Sequence, residues 1–179
     1  MSINYDIFPT VKSCIPVEVI HKELDKVKSF IYDYNCEINI DIKDINSNSL
    51  LYYNKTLSSD INNYIIIKIK NVGEIYVYNN TVSDIDIDFW NTEMTENKNA
   101  VKLIDEINKN IIVGYYWTVK KTISQPKMID PLFDCVTMII ANLSKGIVYT
   151  DDGAIEYEKV PLMYYDYKKE IIHKYNMEE

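Results

Sequence analysis

Residues 130–157 read DPLFDCVTMIIANLSKGIVYTDDGAIEY, and this stretch sets the expected architecture. Asp130 can cap a helix, because its carboxylate accepts from the free N–H groups of a first turn. Pro131 suits the first helical position, where no N–H is needed. Gly146 can take the left-handed conformation that ends a helix. Between them Leu132, Phe133, Cys135, Val136, Met138, Ile139, Ile140 and Leu143 point in nearly every direction around the axis. A helix that is apolar all round is a buried one. The spacing therefore predicts a central core helix, then a strand at Ile147–Tyr149, a tight turn at Asp151-Asp152-Gly153, and a strand at Ala154–Glu158. Asp-Gly suits a two-residue hairpin turn, in which both central residues have positive φ.

Upstream, Ile20, Leu24, Val27, Ile31 and Tyr34 follow spacings of 4, 3, 4 and 3. That is one stripe of a helix running from Pro16 to about Tyr34. Residues 1–14 before it read as short and irregular. Ile38, Ile40 and Ile42 alternate with polar residues, as in a half-buried strand. Leu50–Tyr53 reads as a short strand and Asn54–Asn63 as a loop. Tyr64–Lys70 and Glu74–Tyr78, joined by Asn71-Val72-Gly73, read as a hairpin. Val82–Trp90 alternates again, with Ile85, Ile87 and Phe89 on one face and Asp84, Asp86 and Asp88 on the other.

A helix is expected from about Asn97 to Asn108, with Ala100, Ile104 and Ile107 as its stripe. Ile111–Lys121 reads as a strand apolar on both faces, hence central in the sheet. Beyond Pro161, Tyr164, Tyr167, Ile171 and Tyr175 form the stripe of a last helix. The order implies an α+β fold: a mainly antiparallel meander with about four helices on one face. At 179 residues, one domain spanning 1–179 is expected.

The formal net charge is −8 and the sequence pI about 4.8. A phosphate backbone repels such a chain, which argues against nucleic-acid binding. Anionic membrane surfaces repel it as well. A basic protein attracts it, and opposite charge speeds encounter. The same charge also serves solubility alone. Cys14, Cys36 and Cys135 lack metal-ligand spacing. With no leader pattern and no apolar run near 18 residues, a cytoplasmic protein with reduced thiols is expected.

Chemistry-bearing constellations are few. His21 and His173 have no nucleophile in a recognisable frame and read as surface residues. On a strand, Asp84, Asp86 and Asp88 would sit about 7 Å apart pairwise on one face. That face is a solvated strand surface, a docking surface for a basic partner, or a hard-cation site for Mg²⁺ or Ca²⁺. The turn tip presents Asp151, Asp152 and Glu156 in the same way. No phosphate loop, dinucleotide fingerprint, Gly-x-Ser-x-Gly or His-Glu-x-x-His motif is present. Exposed tyrosines, from a total of 16, suit interface anchoring.

Over about residues 128–160, the apolar helix, Leu143-Ser144-Lys145-Gly146-Ile147-Val148-Tyr149 and Asp151-Asp152-Gly153-Ala154 resemble immunity proteins of bacterial polymorphic-toxin and contact-dependent inhibition systems. The resemblance implies a non-catalytic protein without cofactor. It would neutralise a cognate toxin, often a nuclease, by binding it. The contacts expected from charge are Asp84, Asp86, Asp88, Asp151, Asp152 and Glu156. Two other readings stand beside it: an enzyme holding a divalent metal on Asp84, Asp86 and Asp88, and a non-enzymatic interaction module, virus-encoded or otherwise.

Overall fold

The sheet carries seven antiparallel strands in the order β3-β5-β6-β7-β1-β8-β9. A computed structural model describes residues 2–31, 37–51, 56–58, 63–150 and 159–177. The strands are β1 (Ser2–Phe8), β3 (Ile38–Asp44), β5 (Asn63–Ile69), β6 (Gly73–Thr81), β7 (Tyr115–Thr122), β8 (Ile147–Tyr149) and β9 (Leu162–Met163). Two further short strands, β2 (Cys14–Pro16) and β4 (Thr56–Ser58), pair with each other. The described helices are α1 (Val17–Ile31), α2 (Asp84–Glu96), α3 (Lys98–Lys102), α4 (Ile104–Val113), α5 (Asp130–Ser144) and α6 (Tyr164–Tyr175). The α+β class and the antiparallel sheet agree with expectation.

α5 is the buried helix its composition predicts. Eleven of its fifteen residues are buried, Asp134 and Thr137 among them, so no side of it faces water as a whole. Its ends differ from expectation. Asp130 has helical φ and ψ of −57° and −44°, inside the helix, and its carboxylate accepts from Lys121 Nζ rather than from the first turn. Lys145, not Gly146, takes the left-handed position, at φ 51°. Gly146 N–H then donates to Ala141 O at 2.9 Å, closing the helix end. Glycine is needed at 146 for another reason: a Cβ there would lie 2.5 Å from Ile7 Cγ2. The chain turns directly from α5 into β8, which pairs with β1.

β1 is the largest departure. The stretch expected to be irregular is an inner strand between β7 and β8. Its alternation divides the interior. Tyr5 and Ile7 join the main core with Trp117, Val119 and Val148, under α1, α5 and α6. Phe8 points the other way, to a second core with Trp90, Ala100, Ile107, Ile147 and Tyr149. Neighbouring strand residues face opposite sides of a sheet. Helices therefore cover both faces, not one, with α2, α3 and α4 over the second.

The hairpin of β5 and β6 is as expected, and β7 is central. Ile111–Val113, expected as strand, complete α4, which stops at Gly114 in the left-handed conformation (φ 82°). The helix expected over 97–108 is two, broken at Leu103. Leu50 contributes one bridge to Lys43. Thr56–Ser58, expected as loop, is β4. Leu51 donates its N–H to Ile42 O at 2.9 Å but belongs to no strand. Tyr52 and Tyr53, the end of the first helix near Tyr34 and the strand at Ala154–Glu158 lie outside the described residues.

Candidate binding surface

The sequence Ser83-Asp84-Ile85-Asp86-Ile87-Asp88 alternates like a strand and is the start of a helix. Ser83 is the N-cap, and its Oγ accepts from Asp86 N–H at 3.4 Å. Asp86 Oδ2 in turn accepts from Ser83 N–H at 2.7 Å. This reciprocal cap satisfies two helix-end donors. The far side of the helix supplies the rest of the driving force. Trp90 is fully buried, with its ring 5.0 Å from Phe8 and 5.7 Å from Tyr149. Ile87, Trp90 and Met94 fall at helical spacings of 3 and 4. That spacing and the Ser-x-x-Asp cap are the signals the period-two reading missed.

The helix changes what the three aspartates can do. Successive helical residues turn about 100°, so Asp86 points roughly opposite to Asp84 and Asp88. Asp84 and Asp88, four apart, share an exposed row. Asp86 is half-buried in its cap. The common carboxylate face that a cation would need is not formed. Among the described residues, no three His, Cys, Asp or Glu side chains converge to hold a metal ion. Asp151, Asp152 and Glu156 lie outside the described residues.

α2 is uniformly acidic: Asp84, Asp86, Asp88, Glu93 and Glu96, with no lysine or arginine in its thirteen residues. Glu93 is buried and accepts from Asn97 Nδ2 at 2.9 Å. Asp84, Asp88 and Glu96 remain exposed. The amide of Val82, just before the cap, donates to Gly114 O at 3.0 Å, tying the start of α2 to the end of α4.

Beside α2, the second core takes no residue from β3, β5 or β6. There the sheet face is a polar and aromatic grid. The register sets Lys43, Tyr64, Tyr78, Thr118 and Asp6 in one row. Asp41, Ile66, Tyr76, Lys120 and Asn4 form the next. Thr118 Oγ1 donates to Asp6 Oδ1 at 2.6 Å, and Lys68 pairs with Asp41 at 2.7 Å. Tyr76 donates to Glu74. Burial pushes the Tyr116 hydroxyl up to about 12, with the negative charges of Asp86 and Asp6 adding to the effect. Asp86 thus extends its field from α2 onto the sheet. Half-buried tyrosines flanked by carboxylates can hydrogen-bond and stack on cationic side chains. Sequence reasoning pointed to tyrosine anchors but not to Tyr64, Tyr76, Tyr78 and Tyr116 as a group, because only strand pairing brings them together.

A cleft of about 760 Å³ separates α1 from β3 and is lined by His21, Asp25, Asn39, Asp41 and Ile40, among others. His21 Nδ1 lies 3.0 Å from Asp25 Oδ2 on the exposed side of α1. Lys28, 2.7 Å away, holds the Asp25 carboxyl below its usual range. Among the described residues no serine, threonine or cysteine shares a hydrogen bond with His21, so a nucleophile–base pair is not assembled there. Cys135 is buried and its thiol is pushed up to about 12, chiefly by desolvation. That makes it a core residue rather than a reactive thiolate.

No described helix is long and apolar enough to cross a membrane. Comparison with protein-family models, with curated protein sequences and with solved structures finds no match.

Proposed function

We propose that this chain is a non-catalytic immunity protein that neutralises a basic toxin domain, such as a nuclease, by binding it one to one in the cytoplasm without a cofactor. The observation that carries this reading is α2, which has no cation and exposes Asp84, Asp88 and Glu96 to solvent. An acidic helix of this kind complements the cationic cleft with which a nuclease holds its substrate. The tyrosine grid beside it supplies anchors of low conformational cost. Asp84 and Asp88 are the contacts that α2 offers most directly. Asp151, Asp152 and Glu156, outside the described residues, are proposed as contacts from their charge alone.

The test is a titration of the full chain against the purified toxin domain encoded beside its gene, inactivated by mutation. The expected result is nanomolar binding that weakens steeply with salt, and at least about tenfold weaker binding for Asp84→Lys/Asp88→Lys. Absence of binding, or affinity indifferent to both salt and charge reversal, overturns the reading.

A further inference from the structure

We infer that the partner docks on the junction between the start of α2 and the end of α4, with Ile85 and Ile112 as its apolar anchors; this rests on the reading of the chain as a toxin-binding protein. Ile85 is 81% exposed and Ile112 85% exposed, against 61% for Met128, the next most exposed large apolar side chain among the described residues. A single exposed isoleucine is ordinary on a protein surface. These two sit on the helix ends that the Val82–Gly114 hydrogen bond joins, Ile85 in the first turn of α2 and Ile112 in the last turn of α4. The local fold does not use them. Trp90 fills the core from one helix and Ile107 from the other, and both are fully buried.

Charge selects the occupant. Of the seven carboxylates on α2 and α4, Glu93 is buried and Asp86 is held in the cap. The cation Lys109 is paired with Glu106 at 2.7 Å, and the two lysines of α3, Lys98 and Lys102, follow the far end of α2 in sequence. Asp84 and Asp88, one residue before and three after Ile85, are exposed on α2 as it is. A second copy of this chain would bring the same carboxylates against themselves, which disfavours self-pairing. A basic surface with an apolar recess fits: lysine and arginine side chains meet Asp84 and Asp88 while the isoleucines are desolvated at the centre. An apolar anchor ringed by charge is the usual anatomy of an energetic hot spot.

The experiment measures Kd for the full chain and its variants against the same inactivated toxin domain. Ile85→Ser/Ile112→Ser is expected to raise Kd at least about 30-fold, whereas Ile123→Ser, in the turn after β7, leaves it within about twofold. Both isoleucines are exposed, so the variants keep the fold, which circular dichroism verifies. If the wild-type chain binds tightly and the double variant binds equally well, this docking face is wrong and the immunity reading survives. If the wild-type chain does not bind, that reading falls and the docking face falls with it. Sedimentation that shows a wild-type dimer dissolved by Ile85→Ser/Ile112→Ser assigns the face to a second copy and overturns the inference.

Discussion

Ser83 and Asp86 cap each other: Ser83 N–H donates to Asp86 Oδ2 at 2.7 Å while Ser83 Oγ accepts from Asp86 N–H at 3.4 Å. The pair turns an alternating acidic sequence into the first turn of a helix. Replacing either partner with alanine is expected to cost about 1 kcal/mol, a fall in Tm of about 3 °C for a chain of this size. The two losses should be less than additive, since each variant already breaks the reciprocal pair. Calorimetry of the two single variants and the double variant checks this; full additivity would mean that the cap does not act as a unit.

Gly146 is expected to tolerate no larger residue. A Cβ there meets Ile7 Cγ2 at 2.5 Å and Phe8 O at 3.2 Å, and both belong to an inner strand with little freedom to move. Gly146→Ala should therefore destabilise the protein by about 1–3 kcal/mol, the range for overpacking. Denaturant titration measures it, and a neutral result would show that β1 yields at Ile7.

Asp134 joins α5 to α6. Its carboxylate is buried and accepts from Tyr175 Oη at 2.7 Å and from Lys174 Nζ at 2.6 Å. Tyr175→Phe leaves the Lys174 bond and removes one of the two, at an expected cost of about 1–2 kcal/mol. Lys174→Met should cost more, about 2–4 kcal/mol, because it leaves the buried Asp134 carboxylate without its cation. A smaller loss for Lys174→Met than for Tyr175→Phe would contradict this ordering in the same denaturant assay.

Alkaline pH should destabilise the protein through its buried tyrosines. Burial raises the hydroxyls of Tyr5, Tyr167 and Tyr175 above the usual tyrosine range, and carries Tyr76 and Tyr116 up to about 12. In the unfolded chain these groups ionise near pH 10. Above that pH the unfolded state binds fewer protons than the folded one, so stability is fully present below about pH 10 and falls as pH rises toward about 12. Denaturant midpoints measured from pH 8 to 12 should stay level and then drop. Absorbance at about 295 nm should show tyrosines that ionise only as the fold is lost. A stability profile flat to pH 12 would refute the assignment.

Local physics alone determined much of this molecule. Ile20 and Leu24 recur at helical spacing, and both are buried on α1. The all-round apolar run from Leu132 to Ala141 left α5 no option but the interior. The Asn71–Gly73 turn between two β-rich runs produced the β5–β6 hairpin. In each case one pattern dominates within a window of about ten residues, and no distant contact competes with it. Tertiary structure decided the rest. Ser2–Phe8 is a strand because β7 and β8, more than a hundred residues away, supply its hydrogen-bonding partners. Asp84–Phe89 alternates as a strand would, but Trp90 gains a fully buried place against Phe8 and Tyr149 only if the segment is helical. That choice separated Asp86 from Asp84 and Asp88, and it left Ile85 in water beside the end of α4. The acidic character of the surface was legible in the composition. Which carboxylates share a face, and which apolar side chains stand among them, depended on the partners that distant segments brought to each element.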